Sequence, residues 1–134
     1  KYGYRDPGWT FLPNGTGSFI WNVKDDYDDE EEEYTTSLNI SSTTTASSSV
    51  GSFIHVALVR QGTTYRIYID GTQEASATGT ATNFGVHNFA LGDAMVNGNG
   101  IAQNSYIDDF RVSNTAVYPD GTTFTVPSAA HPTS

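Results

Sequence analysis

The chain has 134 residues, with fifteen Asp and Glu against six Lys and Arg, a formal net charge of −9 and no cysteine. So few cations exclude a nucleic-acid partner, whose phosphates must be met by Lys and Arg, and the lack of cysteine excludes disulfide staples and thiolate metal sites. No apolar run approaches the roughly 20 residues of a membrane span and no signal-peptide pattern is present, so membrane insertion is not expected. Thirteen Gly, eight Tyr, seven Phe and many Ser and Thr, with no helical periodicity, argue for one all-β domain over residues 1–134.

Residues 8–23, GWTFLPNGTGSFIWNV, read as a pair of strands. Trp9 alternates with Phe11, and Trp21 with Phe19 and Val23, so both indoles are expected in the core and not on a sugar-stacking surface. The acidity that follows is local. Asp25, Asp26, Asp28, Asp29 and Glu30 to Glu33 supply eight of the fifteen acids, and the other seven nearly balance the six Lys and Arg. Carboxylates about 7 Å apart in water repel by roughly 0.6 kcal/mol per pair before screening. Residues 25–33 are therefore expected to be an extended, solvated loop outside any packed element, joining strands at 19–23 and 34–40. A solvated charge run is the simplest reading; calcium binding, through several carboxylate oxygens, and docking to a basic partner are the others. An EF-hand is excluded, because Glu31 stands where that loop needs Gly.

Residues 41–52, SSTTTASSSVGS, form a low-complexity polar stretch, expected to be a flexible connection. Asn14-Gly15-Thr16 and Asn39-Ile40-Ser41 match the N-glycosylation pattern, at a frequency that chance also supplies. Next comes FIHVALVR, residues 53–60, with Phe53, His55, Ala57 and Val59 on one face and Ile54, Val56, Leu58 and Arg60 on the other, a strand expected to be covered on both sides. A short loop of Gln61, Gly62, Thr63 and Thr64, in which Gly62 takes positive φ, leads to YRIYIDG at residues 65–71. There Tyr65, Ile67 and Ile69 oppose Arg66, Tyr68 and Asp70, and the Asp70-Gly71 turn returns the chain as a third antiparallel strand at 73–77.

A short strand at 89–91 precedes residues 92–105, GDAMVNGNGIAQNS, which read as a loop. Asp93, Asn97, Asn99 and Asn104 offer oxygen ligands and amide donors, and Gly98 and Gly100 permit close backbone approach. That chemistry suits calcium or sugar hydroxyls, although Asn-Gly pairs are turn formers first. The stretch YIDDFRVSNTAVY, residues 106–118, reads as a late strand. Asp108 and Asp109 are adjacent and so point to opposite faces of a regular strand, and the spacing of Ile107 and Phe110 hints at a bulge or hydrogen-bonded turn.

VALVR followed by a turn and YRIYIDG, then YIDDFRV near the end, resembles the laminin G-like branch of the concanavalin A-like jelly rolls. The resemblance covers most of the chain and implies an antiparallel two-sheet jelly-roll sandwich. The closing FTVPSAAHPTS, with its tail at 127–134, is similar to such domains in phage and other viral structural proteins. The family's opening aromatic-rich strands have no counterpart ahead of Lys1, and there is no initiator Met. The chain is therefore expected to be a piece of a larger polypeptide, with an unpaired sheet edge where those strands would lie.

Enzymes of this architecture need two carboxylates flanking a glycosidic bond. Outside the acidic run the chain has a single Glu, Glu74, and the Asp108-Asp109 pair, so no catalytic residues are expected. The three histidines, His55, His87 and His131, lack metal-ligand spacing, and His55 reads as a packed strand residue. The resemblance implies a non-enzymatic adhesion or glycan-binding module on a virion surface or other extracellular assembly, with a cell-surface glycan and other assembly subunits as partners. Calcium is the cofactor the loops would suit. A purely architectural decoration of a fibre or capsid is the alternative, and a glycan hydrolase the third reading.

Overall fold

The computed structural model describes residues 8–13, 17–24, 27–28, 33–34, 37–79, 93–96, 99–102, 106–118, 121 and 123–129, with the backbone alone at 27–28, 33–34, 37, 93–96 and 99–102. Ten strands fall among them: β1 Gly8–Pro13, β2 Ser18–Lys24, β3 Tyr27–Asp28, β4 Glu33–Tyr34, β5 Ser37–Thr45, β6 Val56–Gln61, β7 Thr64–Ile69, β8 Thr72–Thr78, β9 Asp93–Val96 and β10 Asn99–Ala102. The only helical turn among the described residues is the 3-10 segment Ala46–Ser49. Two antiparallel three-stranded sheets, ordered β1-β2-β5 and β6-β7-β8, are accompanied by two separate two-stranded ribbons, β3-β4 and β9-β10. The fold is the all-β sandwich expected from the alternating patterns.

The core lies between the two sheets. Trp21, Val23 and Ile40 come from the first sheet and Tyr65, Ile67 and Ile69 from the second, with Phe11, Phe19, Leu38, Ile54, Val56, Leu58, Ala75 and Ala77 packed around them. Tyr65, Ile67 and Ile69 are alternate residues of β7, and Trp21 and Val23 alternate on β2, so each sheet turns one pleat face inward. Burying each such side chain stabilises the fold by about 1.5–3 kcal/mol relative to exposure. Trp21 meets Tyr65 edge-on with ring centroids 5.3 Å apart, and Phe11 stacks on Phe19 at 5.6 Å. Trp9 departs from expectation. It sits on β1, the outer strand of its sheet, opposite the buried Val23, and is 42% exposed.

The signature hairpin forms with a tighter first turn than the sequence suggested, and its second turn is the expected two-residue one. Gln61 pairs with Thr64, leaving Gly62 and Thr63 as a two-residue loop with Gly62 at φ +59°. Ile69 pairs with Thr72 across Asp70 and Gly71, whose φ values of +47° and +78° are those of the two-residue turn that matches strand twist. The ladder starts at Val56 and not at Phe53. Ahead of it Asp70 takes over: its Oδ1 accepts from the His55 amide at 2.8 Å, and its amide donates to the His55 carbonyl at 2.8 Å. Phe53, beyond this closure, is exposed. Val59 is buried on the face opposite Leu58, so the β6 strand is covered on both sides as expected.

Three expected loops are partly structured. Within the acidic run, Tyr27 pairs with Tyr34 and Asp28 with Glu33, so the run is not wholly outside the ladders. The hydrogen-bonded backbone closes a small ribbon there in spite of the charge density, since repulsion of a few tenths of a kcal/mol per screened pair is small against paired amides. Residues 41–45 are strand and 46–49 a 3-10 turn, in place of a flexible connection. Residues 93–96 and 99–102 are the strands of a hairpin, in place of a loop; the strand expected at 89–91 lies outside the described residues. Conversely, residues 106–118 join no ladder among the described residues, against the expectation of a late strand. Among the described residues no helix is long and apolar enough to cross a membrane.

Candidate functional site

The β9-β10 ribbon carries two of the four residues singled out from the sequence. Asp93 pairs with Ala102 and Asn99 with Val96, so the two stand at opposite ends of the ribbon. Three steps of the ladder separate them, about 10 Å of strand, and the odd spacing places the two positions on opposite faces of the ribbon. Asn97 and Asn104 lie outside the described residues, as do His87, His131 and the acids at 25, 26 and 29–32. Among the described residues no three His, Asp or Glu side chains gather as a metal centre would require.

Among the described residues Glu74 is the most heavily hydrogen-bonded carboxylate, and the reason lies in two bulges. On β8 the register runs Tyr68 to Gln73 and then Ile67 to Ala75, which leaves Glu74 as the extra residue. On β5, Ser18 pairs with Thr45 and Ile20 with Ser41, so residues 42–44 face the single residue Phe19. Ser42 closes that bulge from inside: only 5% exposed, its hydroxyl accepts from the Phe19 amide at 2.9 Å and donates to the Thr44 carbonyl at 2.7 Å. The amides of Thr43 and Thr44, turned out of the ladder, donate to Glu74 Oε2 at 3.0 and 2.8 Å, and the Thr44 hydroxyl donates to Oε1. Partial burial pushes the Glu74 carboxyl up, but these hydrogen bonds outweigh it and hold the group below the usual carboxylate range. Both oxygens are occupied within the fold. Glu74, the single Glu outside the acidic run, is a clasp between the edge strands of the two sheets.

Asp108 is likewise turned to local use. Its Oδ1 accepts from the Asp109 amide at 2.9 Å, and Asp109 sits at φ +50°, a left-handed conformation that Asp tolerates better than most residues. The hydrogen-bonded turn expected there is present, though in a segment outside the ladders. Around it Tyr106 is 91% and Val112 77% exposed.

On the outer face of the second sheet the chain's end folds back over the hairpin. Tyr68, fully buried, donates its hydroxyl to the Tyr118 carbonyl and accepts from the Gly121 amide, each at 3.1 Å. Phe124 donates its amide to the Gly71 carbonyl at 2.8 Å and stacks on Tyr118 with centroids 3.6 Å apart. His55 meets the edges of both rings, which is the packed role its place in the strand suggested. Gly71 is required at this crossing, since a Cβ there would come within 2.1 Å of the Phe124 carbonyl oxygen. Sequence reading missed this strap. Its signal was the pair of aromatics Tyr118 and Phe124 in a polar tail, opposite a strand that already carried Tyr68 on its outer face.

The outer face of the first sheet is polar. Asn39 donates to the Asn22 side-chain oxygen at 2.7 Å, and Asn22 in turn donates to the Thr10 hydroxyl at 3.5 Å, a row across all three strands. Asn39, one of the two glycosylation-pattern residues, is exposed there, while the other, Asn14, lies outside the described residues. Trp21 is buried in the core and offers no sugar-stacking surface; Trp9, on the outer strand β1, is the half-exposed indole.

No curated protein and no solved structure matches the sequence. A laminin G family model does, over residues 2–120, nearly the whole chain. That span takes in both sheets, the signature hairpin and the Glu74 clasp. With the alternating core and the two antiparallel sheets already in place, the chain belongs to the concanavalin A-like lectin/glucanases superfamily.

Proposed function

We propose that the chain is a non-enzymatic adhesion or glycan-binding module, carried on a virion or another extracellular assembly, with the β9-β10 ribbon contributing to the ligand site. The observation that supports binding over catalysis is the engagement of Glu74, whose two oxygens are taken by Thr43 and Thr44. A hydrolase of this architecture would need a carboxyl free to protonate or attack a glycosidic oxygen. Family membership supports the binding half, since domains of this kind are often carbohydrate-binding or adhesion modules. Asp93 and Asn99, one on each face of the ribbon, are the residues proposed to meet sugar hydroxyls, with calcium as a proposed aid.

The test is binding of the intact chain to an array of surface glycans, with and without a calcium chelator. Saturable binding to at least one glycan class is expected, weakened about tenfold by Asp93→Ala or Asn99→Ala, the loss of one or two good hydrogen bonds. Loss on chelation assigns calcium to the site. Binding to none of the glycans would overturn the reading, and sugar release abolished by Glu74→Gln or Asp108→Asn would replace it with a hydrolase. One observation favours a second reading, architectural decoration of a fibre or capsid: the exposed apolar side chains of residues 106–112 suit burial against a neighbouring subunit.

A further inference from the structure

The contact between β5 and β8 joins two sheets through one titratable group. Each strand is the outermost of its sheet, so among the described residues neither has a ladder partner on that side. Glu74 supplies acceptors to the two bulge amides that point across the gap and to the Thr44 hydroxyl. We propose that this contact is an acid-loosened latch: ionised Glu74 holds the β5 and β8 edges together, and protonated Glu74 lets that side of the sandwich open while the core stays closed.

Counting hydrogens shows why. Three donors meet two carboxylate oxygens, and all three bonds are charge-assisted. A proton placed on Oε1 must itself be donated, which reverses the bond to the Thr44 hydroxyl. The two amides are left on a neutral carbonyl oxygen, where each bond is about half as strong. Among the described residues, no other charged group lies in this contact. β5 carries none, and the 3-10 turn at 46–49 carries none. On β7, Tyr65 is turned into the core, and Tyr68 and Arg66 lie on the opposite face, where Gly121 approaches Arg66 and Gln73. Lys24 is at the far end of the first sheet, opposite Ser37. The latch therefore answers to Glu74 alone. Because the folded carboxyl titrates below its unfolded value, the latch is fully made above the unfolded pKa and is lost as pH falls through the folded one.

Amide hydrogen exchange on the intact chain tests this, with protection at Thr43, Thr44 and, as a core control, Ile67 followed from pH 7 to pH 3 and corrected for the intrinsic pH dependence of exchange. Protection at Thr43 and Thr44 is expected to fall about tenfold or more, with a midpoint below that of an ordinary glutamate, while Ile67 holds. Glu74→Gln should show the low protection already at pH 7 and no further change. Thr44→Val, which removes only the hydroxyl bond, should move the midpoint up toward the ordinary value. Protection that stays flat with pH overturns the latch, as does a fall that persists unchanged in Glu74→Gln or one that runs in step with Ile67.

Discussion

Residues 41–45 and residues 106–112 are mirror cases. The first, SSTTT, has no side chain larger than threonine, yet it completes β5 and is tied to the opposite sheet. The second, YIDDFRV, carries four aromatic and branched residues of high strand propensity, yet it joins no ladder among the described residues and leaves Tyr106 and Val112 in solvent. What separates them is where backbone groups find partners. β5 pairs with β2 from Ser37 onward, Ser42 closes the bulge, and Glu74 collects the amides the bulge turns away. In the second segment Asp109 at φ +50° and the Asp108 carboxylate on its amide satisfy one group locally and bend the chain out of extended geometry.

If β5 is as much a part of the sheet as its pairing says, a core deletion on it should have the largest effect of any change considered. Ile40 lies one residue before the Ser/Thr run and is 4% exposed. Ile40→Ala should destabilise the chain by about 2–5 kcal/mol, read as a lower urea midpoint. A loss under about 1 kcal/mol would mean that β5 is loosely held and would erase the contrast with residues 106–112.

Glu74→Ala comes next. It leaves the Thr43 and Thr44 amides without their acceptor, at a cost of about 2 kcal/mol, since water can reach the more exposed of the two. The loss should shrink at low pH, where the wild-type carboxylate is itself protonated. Equal stability of variant and wild type at pH 7 would show that the Ser/Thr run holds its place without the clasp.

The core was legible in the sequence wherever side chains alternate in size and polarity. Tyr65, Ile67 and Ile69 announced their inward face, and Asp70-Gly71 and Gly62 announced their turns, because those signals are local. Ser42, Thr43 and Thr44 were not legible, because their order depends on Glu74, thirty residues away, and on a bulge that composition does not encode. Trp9 differs for a related reason: its alternation with Phe11 is local, but its place on the outer strand of the sheet, beside a buried Val23, is set by the pairing of β1 with β2. Of the candidate site, the chemistry of Asp93 and Asn99 is legible but their hairpin is not, since the Asn-Gly signal fits both a ligand loop and a two-residue turn.

A smaller effect isolates the bend in the second segment. Asp109→Gly removes the steric cost of the left-handed conformation and keeps the backbone amide that Asp108 binds. It also frees the unfolded chain, and the two terms nearly cancel. With the contacts of Asp109 itself set against these terms, the expected change is within about 0.5 kcal/mol of wild type in either direction by urea denaturation. A loss above about 1 kcal/mol would mean that the Asp109 side chain itself holds the segment in place.

The smallest effect is the sharpest test of the comparison. Val112 is of the same chemical class as Ile40 but 77% exposed. Val112→Ser should therefore leave stability within about 0.5 kcal/mol of wild type, because no burial is lost, whereas the same loss of apolar surface on β5 would cost several times more. Solution behaviour is where the substitution should register. Exposed apolar side chains such as those of Tyr106, Ile107, Phe110 and Val112 favour self-association, so Val112→Ser should lower the fraction of larger species seen by light scattering at high concentration. A stability loss above about 1 kcal/mol would mean that residues 106–112 are packed in solution after all. High strand propensity would then have found its sheet, and pairing opportunity would no longer be what separates this segment from residues 41–45.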